Sequence, residues 1–286
     1  MSTIAVTGAT GALGTHVVEA LLDRGVAAGD IVALARNTAK AAPLAEKGVA
    51  VRAFDYDAPD ASALAGVDRL LLISGNEFGK RVTQHTAVID AAKKAGVALV
   101  AYTSVDSPAE PLRTSINPVS PEHAGTEEYL AASGVDHVLL RNGWYNENYL
   151  GELQTAAQSG GVLSSAGDGA VASASRRDYA EAAAAVLTSD APKPLYRLAG
   201  DVAWSTADRA AALTEVLGQP ITVNQVTPEQ QSEILAGAGL DAGTAGFVIG
   251  VDQAVAAGEL AGSGNDLSTL IGRPTTPLID TLRAAV

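Results

Sequence analysis

The sequence predicts an α/β protein built on a doubly wound parallel sheet, followed by a smaller C-terminal α/β lobe. Three observations carry this. Short runs of strand length are apolar at every position, which suits strands buried on both faces. Stretches with helical spacing alternate with them, as when parallel strands are joined by right-handed crossovers. A glycine-rich turn joins the first strand to the first helix, at the kind of crevice where open α/β sheets bind ligands.

Thr3 to Thr7 is the first strand. Ala12 to Arg24 follows, with Leu13, Val17 and Leu21 spaced four apart on one helix face, and Gly25 ends it. Ile31 to Ala35 is the second strand, Thr38 to Lys47 a helix stopped by Gly48, and Val49 to Phe54 the third strand. Leu70 to Ile73 is the fourth. A helix from about Gly79 to Ala95 leads to the fifth, Leu99 to Tyr102. Glu122 to Ser133 is helical and Val135 to Leu140 is the sixth strand. Beyond Gly143 the rhythm loosens. Asp178 to Leu187 is a helix, Leu195 to Leu198 a seventh strand and Thr206 to Leu217 a helix. Ile221 to Val226 alternates as a half-exposed strand, and Thr227 to Gly258 is Ala- and Gly-rich with helical stretches.

Composition narrows the class. The chain has 286 residues, 47% of them hydrophobic and 18% charged, which supports a sizeable core and excludes overall disorder. Lys and Arg number 19 against 32 Asp and Glu, for a net charge of −13, so neither nucleic acid nor an anionic membrane is an expected partner. With no cysteine, disulfides, thiolate catalysis and Cys-ligated metals are excluded. Arg24 is the first Lys or Arg, and no run reaches ~18 apolar residues, so a cytoplasmic protein without a secretory leader or membrane span is expected. The state is open between monomer and homodimer.

Gly8-Ala9-Thr10-Gly11-Ala12-Leu13-Gly14 leaves a strand and opens a helix, as a dinucleotide fingerprint of the Rossmann type must. Gly8 permits the tight turn, Gly11 lets backbone approach a pyrophosphate, and Gly14 lets the helix pack close. The helix start then offers free N–H groups and a partial positive charge. The spacing is G-x-x-G-x-x-G rather than G-x-G-x-x-G. Read as structure alone, it is a Gly-rich bend with no ligand.

The second strand ends Leu34-Ala35-Arg36-Asn37, without the carboxylate that an NAD site uses on the ribose. Arg36 can instead pair with a 2′-phosphate, which points to NADPH; a solvated surface Arg is the plainer reading. Asp55 ends the third strand, as adenine contact or turn cap. Ser74-Gly75-Asn76 ends the fourth, as a close cofactor wall or simply a loop. Gly143-Trp144-Tyr145-Asn146-Glu147-Asn148 is an aromatic–amide cluster past the sixth strand, fit for a ligand or for plugging the interlobe core.

Gly8 to Gly14, Arg36, Leu70 to Ser74, Ala101-Tyr102-Thr103-Ser104 and Leu140-Arg141-Asn142-Gly143-Trp144-Tyr145 resemble the NmrA-like group of atypical short-chain dehydrogenase/reductases, as does the ending Leu270 to Pro277. The resemblance is strongest to that group's bacterial quinone reductases, with its triphenylmethane dye reductases next. It implies NADPH along the strand ends, a nicotinamide side lined by Gly143 to Asn148, and Arg176 as a further cofactor contact. Residues 1–145, with about 172–200 returning to them, are then the NAD(P)-binding domain, and about 146–286 a smaller substrate-side lobe.

Ordinary members of the superfamily use Tyr-x-x-x-Lys before the sixth strand. No such pair occurs here: the Lys position falls on His123 and the Tyr position on Val119, with Ser104 at the family's strand-end Ser. A ketone needs a proton donor at its carbonyl, whereas a quinone leaves as an aromatic anion that water can protonate. The expected activity is therefore NADPH-dependent hydride transfer to a quinone-like small molecule, with His123 and Ser104 as catalytic candidates; an exposed helix-start histidine is the bland alternative for His123. The competing readings are an NADP(H)-binding redox sensor without turnover and a reductase of another acceptor such as a triarylmethane dye. His85 and His16 read as surface or supporting residues. With His137, the histidines are scattered, and no metal site is expected. The Pro-rich loop of Pro108, Pro111, Pro118 and Pro121 is either a cover for the pocket or an inert excursion.

Overall fold

The apolar runs pair into a single seven-stranded parallel sheet in a computed structural model that describes residues 2–262 and 264–286. In chain order the first part holds β1 (Ile4–Val6), α1 (Ala12–Asp23), β2 (Ile31–Ala35), α2 (Ala42–Glu46), β3 (Ala50–Ala53), β4 (Arg69–Leu72), α3 (Arg81–Ala95), β5 (Leu99–Val105), α4 (Ser120–Ser133) and β6 (His137–Asn142). Next come α5 (Glu152–Ser159), β7 (Gly161–Ser164), β8 (Ala170–Val171), α6 (Arg176–Thr188) and β9 (Leu195–Leu198). The rest holds β10 (Trp204–Ser205), α7 (Thr206–Leu217), β11 (Thr222–Gln225), α8 (Pro228–Gly237), α9 (Ala242–Ala256), α10 (Asp266–Ile271) and α11 (Leu278–Arg283).

The sheet order is β3-β2-β1-β4-β5-β6-β9. The order in which strands are added reverses between β1 and β4, which opens a crevice at their carboxyl ends. Side chains alternate across the sheet and both sides are buried. In β4, Leu71 joins the core under α1 and α6, while Leu70 and Leu72 join the core under α3 and α4. β9 pairs with β6, so the chain returns to the large sheet after leaving it at Asn142.

The remaining residues build the smaller lobe around Tyr149, Val162, Leu213, Leu278 and Leu282. Two small sheets, β10-β8 and β11-β7, stiffen it. Three local differences from the sequence reading have simple causes. β5 runs on to Val105, because polar Thr103 and Ser104 still pair with Leu140 and Arg141 of β6. The second helix is a 3-10 turn, Thr38–Ala41, leading into a five-residue α2 with a proline in its first turn. β11 is exposed along its length, because among the described residues it pairs with β7 alone.

The Pro-rich loop is tied down. The Glu259 carboxylate of the small lobe accepts from Ile116 N at 3.0 Å and Asn117 N at 3.2 Å, and Arg197 Nε donates to Asp106 at 2.8 Å. It works as a strap between the two parts of the molecule. Among the described residues, no helix is long and apolar enough to cross a membrane.

Candidate active site

The turn after β1 is built for close approach. Gly8 has φ +58°, a conformation that favours glycine. A Cβ on Gly14 would stand 2.2 Å from Gly8 O and 2.8 Å from Ala9 Cα, so helix and turn touch backbone to backbone. Gly11 starts α1 with no side-chain cap and no acid in the first turn, so the helix start faces outward with its positive end uncovered.

This turn floors a cleft of about 600 Å³. Gly8, Thr10, Gly11, Ala12, Leu13 and Gly14 line it. Ala9 lies underneath, its N–H donated to Leu34 O at 3.2 Å. One side is formed by Arg36, Asn37, Lys40, Phe54, Asp55 and Tyr56, the other by Ile73, Ser74, Gly75, Asn76, Glu77 and Gln84, and Tyr145 and Arg176 complete it. Arg36 is exposed and lies 3.6 Å from Glu77. The Tyr56 hydroxyl bridges Thr7 Oγ1 at 2.5 Å and the Ile73 carbonyl at 2.7 Å, and burial pushes its pKa up.

The aromatic–amide segment divides. Tyr145 faces the cleft, edge-on to Tyr179 and with the Arg176 guanidinium 4.9 Å over its ring. Glu147 and Asn148 support Arg176 from behind: Glu147 accepts its backbone N–H at 2.9 Å, and Asn148 Oδ1 accepts from its side chain at 3.1 Å. Trp144 packs into the small lobe. Asn146 is fully buried and donates to Thr276 O and Thr281 Oγ1. Gly143 donates to Leu198 O in the sheet. None of these five lines the cleft.

The two catalytic candidates also lie elsewhere. Ser104 is buried and donates to Glu127 Oε1 at 2.5 Å, in a cluster where Arg141 grips the same carboxylate at 3.0 and 2.7 Å. His123 is buried, not exposed at a helix start, and both ring nitrogens are engaged: Arg81 donates to Nε2 at 2.7 Å and Nδ1 meets the Tyr102 hydroxyl at 2.8 Å. Neither lines the cleft. His85, read as surface or support, is also fully buried.

Burial and the positive charge of Arg81 push His85 down to about 3 and His123 well below the ordinary 6.5. The unfolded chain takes up these protons first, so their contribution to stability is complete above pH 6.5 and declines as the pH falls below it. Each buried neutral histidine steepens that acid decline by up to about 1.4 kcal/mol per pH unit. In urea titrations at successive pH values, His123→Gln is expected to show the shallower slope. Parallel slopes for variant and wild type would mean that the folded protein accommodates the imidazolium.

Sequence reasoning missed Lys40, Tyr56 and Gln84 in the cleft. Lys40 carried a signal, since it lies four residues beyond Arg36. Tyr56 and Gln84 carried none locally.

Residues 8–190 match the NAD(P)H-binding family. Quinone oxidoreductase 2 of Escherichia coli (strain K12) is 44% identical over 284 residues, 98% of this chain and 97% of that protein. The crystal structure of the NADPH-dependent quinone oxidoreductase of Escherichia coli with NADPH superposes with a TM-score of 0.92 at 44% identity, over 98% of this chain and 99% of that one. Triphenylmethane reductase of Citrobacter sp. with NADP(H) follows with 0.89 at 36% identity, over 99% and 100%. An NmrA-like oxidoreductase of Aspergillus flavus is 27% identical over 97% of this chain and 93% of that protein. The chain belongs to the NmrA-like, NAD(P)H-binding family.

Proposed function

We propose that this protein is an NADPH-dependent oxidoreductase that transfers hydride to a quinone or a similarly electron-poor ring. The observation that carries the reading is the cleft itself: an uncapped helix start in a cleft lined by Arg36, Lys40 and Arg176, in a chain that aligns over 98% of its length with a quinone oxidoreductase. The residues fit the cofactor. Gly14 leaves no room for a side chain where α1 meets the turn, and α1 points its positive end at the space above it. Arg36 and Lys40 line the same cleft and suit a 2′-phosphate. In this reading residues 1–145, with about 172–200, bind the cofactor, and about 146–286 form the substrate side.

NADPH supplies the hydride when bound. The turn after β1 would hold its pyrophosphate, Arg36 and Lys40 its 2′-phosphate, and Ser74, Gly75 and Tyr145 the walls that align the reacting ring. Asn142 Nδ2 donates to the Tyr145 hydroxyl oxygen at 3.1 Å, and the hydroxyl carries its own phenolic proton. Burial raises the Tyr145 pKa, so that proton stays in place to hydrogen-bond an acceptor oxygen. No Tyr–Lys pair is required, because water protonates the hydroquinone anion. A triarylmethane dye is the second acceptor class, supported by the likeness to triphenylmethane reductase.

The test follows NADPH absorbance with and without benzoquinone, and then with a cationic triarylmethane dye. Quinone-dependent NADPH oxidation is expected. Tight NADPH binding without turnover on either acceptor would replace this reading with that of a redox sensor.

A further inference from the structure

The segment Ile73-Ser74-Gly75 lines the cleft at the end of β4, and its three successive N–H groups are all drawn into the protein. Ile73 N donates to Thr7 Oγ1, Ser74 N to Thr103 Oγ1 and Gly75 N to His85 Nε2, each at 2.9 Å. Three elements, the end of β1, β5 and α3, therefore hold one short stretch of cofactor wall. Only the last acceptor can change its proton count.

We infer that His85 is a positioning residue that sets the cofactor wall at Gly75 by accepting its N–H, and that a buried hydrogen-bond network holds the ring in the one tautomer able to do so. The inference rests on the functional reading above. A backbone N–H can only donate, so His85 Nε2 must be unprotonated and the ring proton must sit on Nδ1. Nδ1 faces Thr126 Oγ1 at 2.9 Å, and Thr126 passes its own proton to Glu122 O at 3.0 Å. That direction is fixed from one side.

The surroundings keep a second proton away. Tyr102 stands edge-on to His85 with its hydroxyl 3.5 Å from Nδ1, and on its far side meets His123 Nδ1. Arg81, which can only donate, fixes His123 with its proton on Nδ1. Tyr56 packs edge-on from the cleft side. The charged groups around the cluster are Arg81, Glu122 at 3.7 Å from it, and Glu127, which with Glu122 acts on Tyr102, with Asp57 accepting from the neighbouring Gln84. Burial first, and then the positive charge of Arg81, disfavour the imidazolium where the acceptor is needed.

The test compares His85→Leu with His85→Gln, whose amide oxygen can reach where Nε2 stands. The leucine variant leaves Gly75 N unpartnered and is expected to raise the NADPH Kd and KM about tenfold, with the quinone KM unchanged. The glutamine variant is expected to restore both to within about threefold of wild type. A merely structural histidine would give two variants equally impaired in melting temperature and alike in NADPH affinity, and that result overturns the inference while leaving the oxidoreductase reading intact. Failure of the wild-type protein to bind NADPH overturns both. Nitrogen NMR of the wild-type ring decides the matter even if the leucine variant does not fold: a neutral His85 protonated on Nδ1 is expected at pH 7, and an Nε2-protonated or doubly protonated ring refutes the inference.

Discussion

Gly14→Ala is expected to be the most damaging single methyl group in the cleft, lowering stability by about 3 kcal/mol or more and removing measurable NADPH binding from whatever protein still folds. The added Cβ meets backbone rather than a side chain that could swing aside: Gly8 O at 2.2 Å, Gly8 C at 2.8 Å and Ala9 Cα at 2.8 Å. Relief requires α1 to withdraw from β1. Leu13, Val17, Val18 and Leu21 of that helix are buried in the core shared with α6, so withdrawal opens gaps there as well. It also moves the helix start away from the place where a pyrophosphate would sit. Two substitutions at the neighbouring Gly11 grade the effect, and Gly29→Ala is the control. A Cβ on Gly11 meets Gly8 O at 3.2 Å, a tight contact but one a full ångström longer than at Gly14, so Gly11→Ala costs less stability than Gly14→Ala, whereas Gly11→Val places branched bulk in the phosphate seat and costs binding above all. Gly29 has nothing within 4 Å and serves as the control. Urea titration and NADPH fluorescence titration on the four variants give the ranking. Wild-type stability for Gly14→Ala would show that turn and helix are not in contact in solution.

The same residues explain what could be read from the chain in advance. β1, β2 and β4 were legible because burial on both faces leaves a run such as Leu70-Leu71-Leu72 no polar position to confuse the reading. The phosphate turn was legible because a tight turn and a close helix both demand glycine at set positions. The segment after β6 was over-read as a block. Tyr145 faces the cleft, so period-two alternation turns Trp144 and Asn146 the other way, into the small lobe and toward Thr276 and Thr281. The His85–Tyr102–His123 cluster joins residues 17 and 21 positions apart, through the packing of α3 and α4 on β5, and no local spacing announces it. Tyr56 reaches Thr7 across 49 positions for the same reason. Residues 146–172 hid an eight-residue helix, a four-residue strand and a two-residue strand, too short for any periodicity to register.

Arg36→Ala is expected to weaken NADPH binding by about 10- to 100-fold and to leave NADH binding within about twofold of wild type, because a charge-assisted hydrogen bond to phosphate contributes roughly 1.5–3 kcal/mol. The structure gives this difference its sign. β2 ends in Ala35 with no carboxylate to engage ribose hydroxyls, and the Asn37 side chain is already used as the cap that accepts from Ala39 N at 3.1 Å. That leaves Arg36 and Lys40 as the cations beside the adenine-side wall of the cleft. The Arg36 side chain is 71% exposed and its contact with Glu77 is 3.6 Å long, a weak pair that a doubly charged phosphate can displace. Exposure also makes the interaction sensitive to salt, so the NADPH preference of the wild type should shrink as ionic strength rises and that of the variant should not. Lys40→Ala is expected to act in the same direction with a smaller effect, since an ammonium group meets phosphate as a point charge without the paired geometry of a guanidinium. Equal losses for NADH and NADPH in Arg36→Ala would mean that the guanidinium supports the wall of the cleft and does not read the 2′-phosphate.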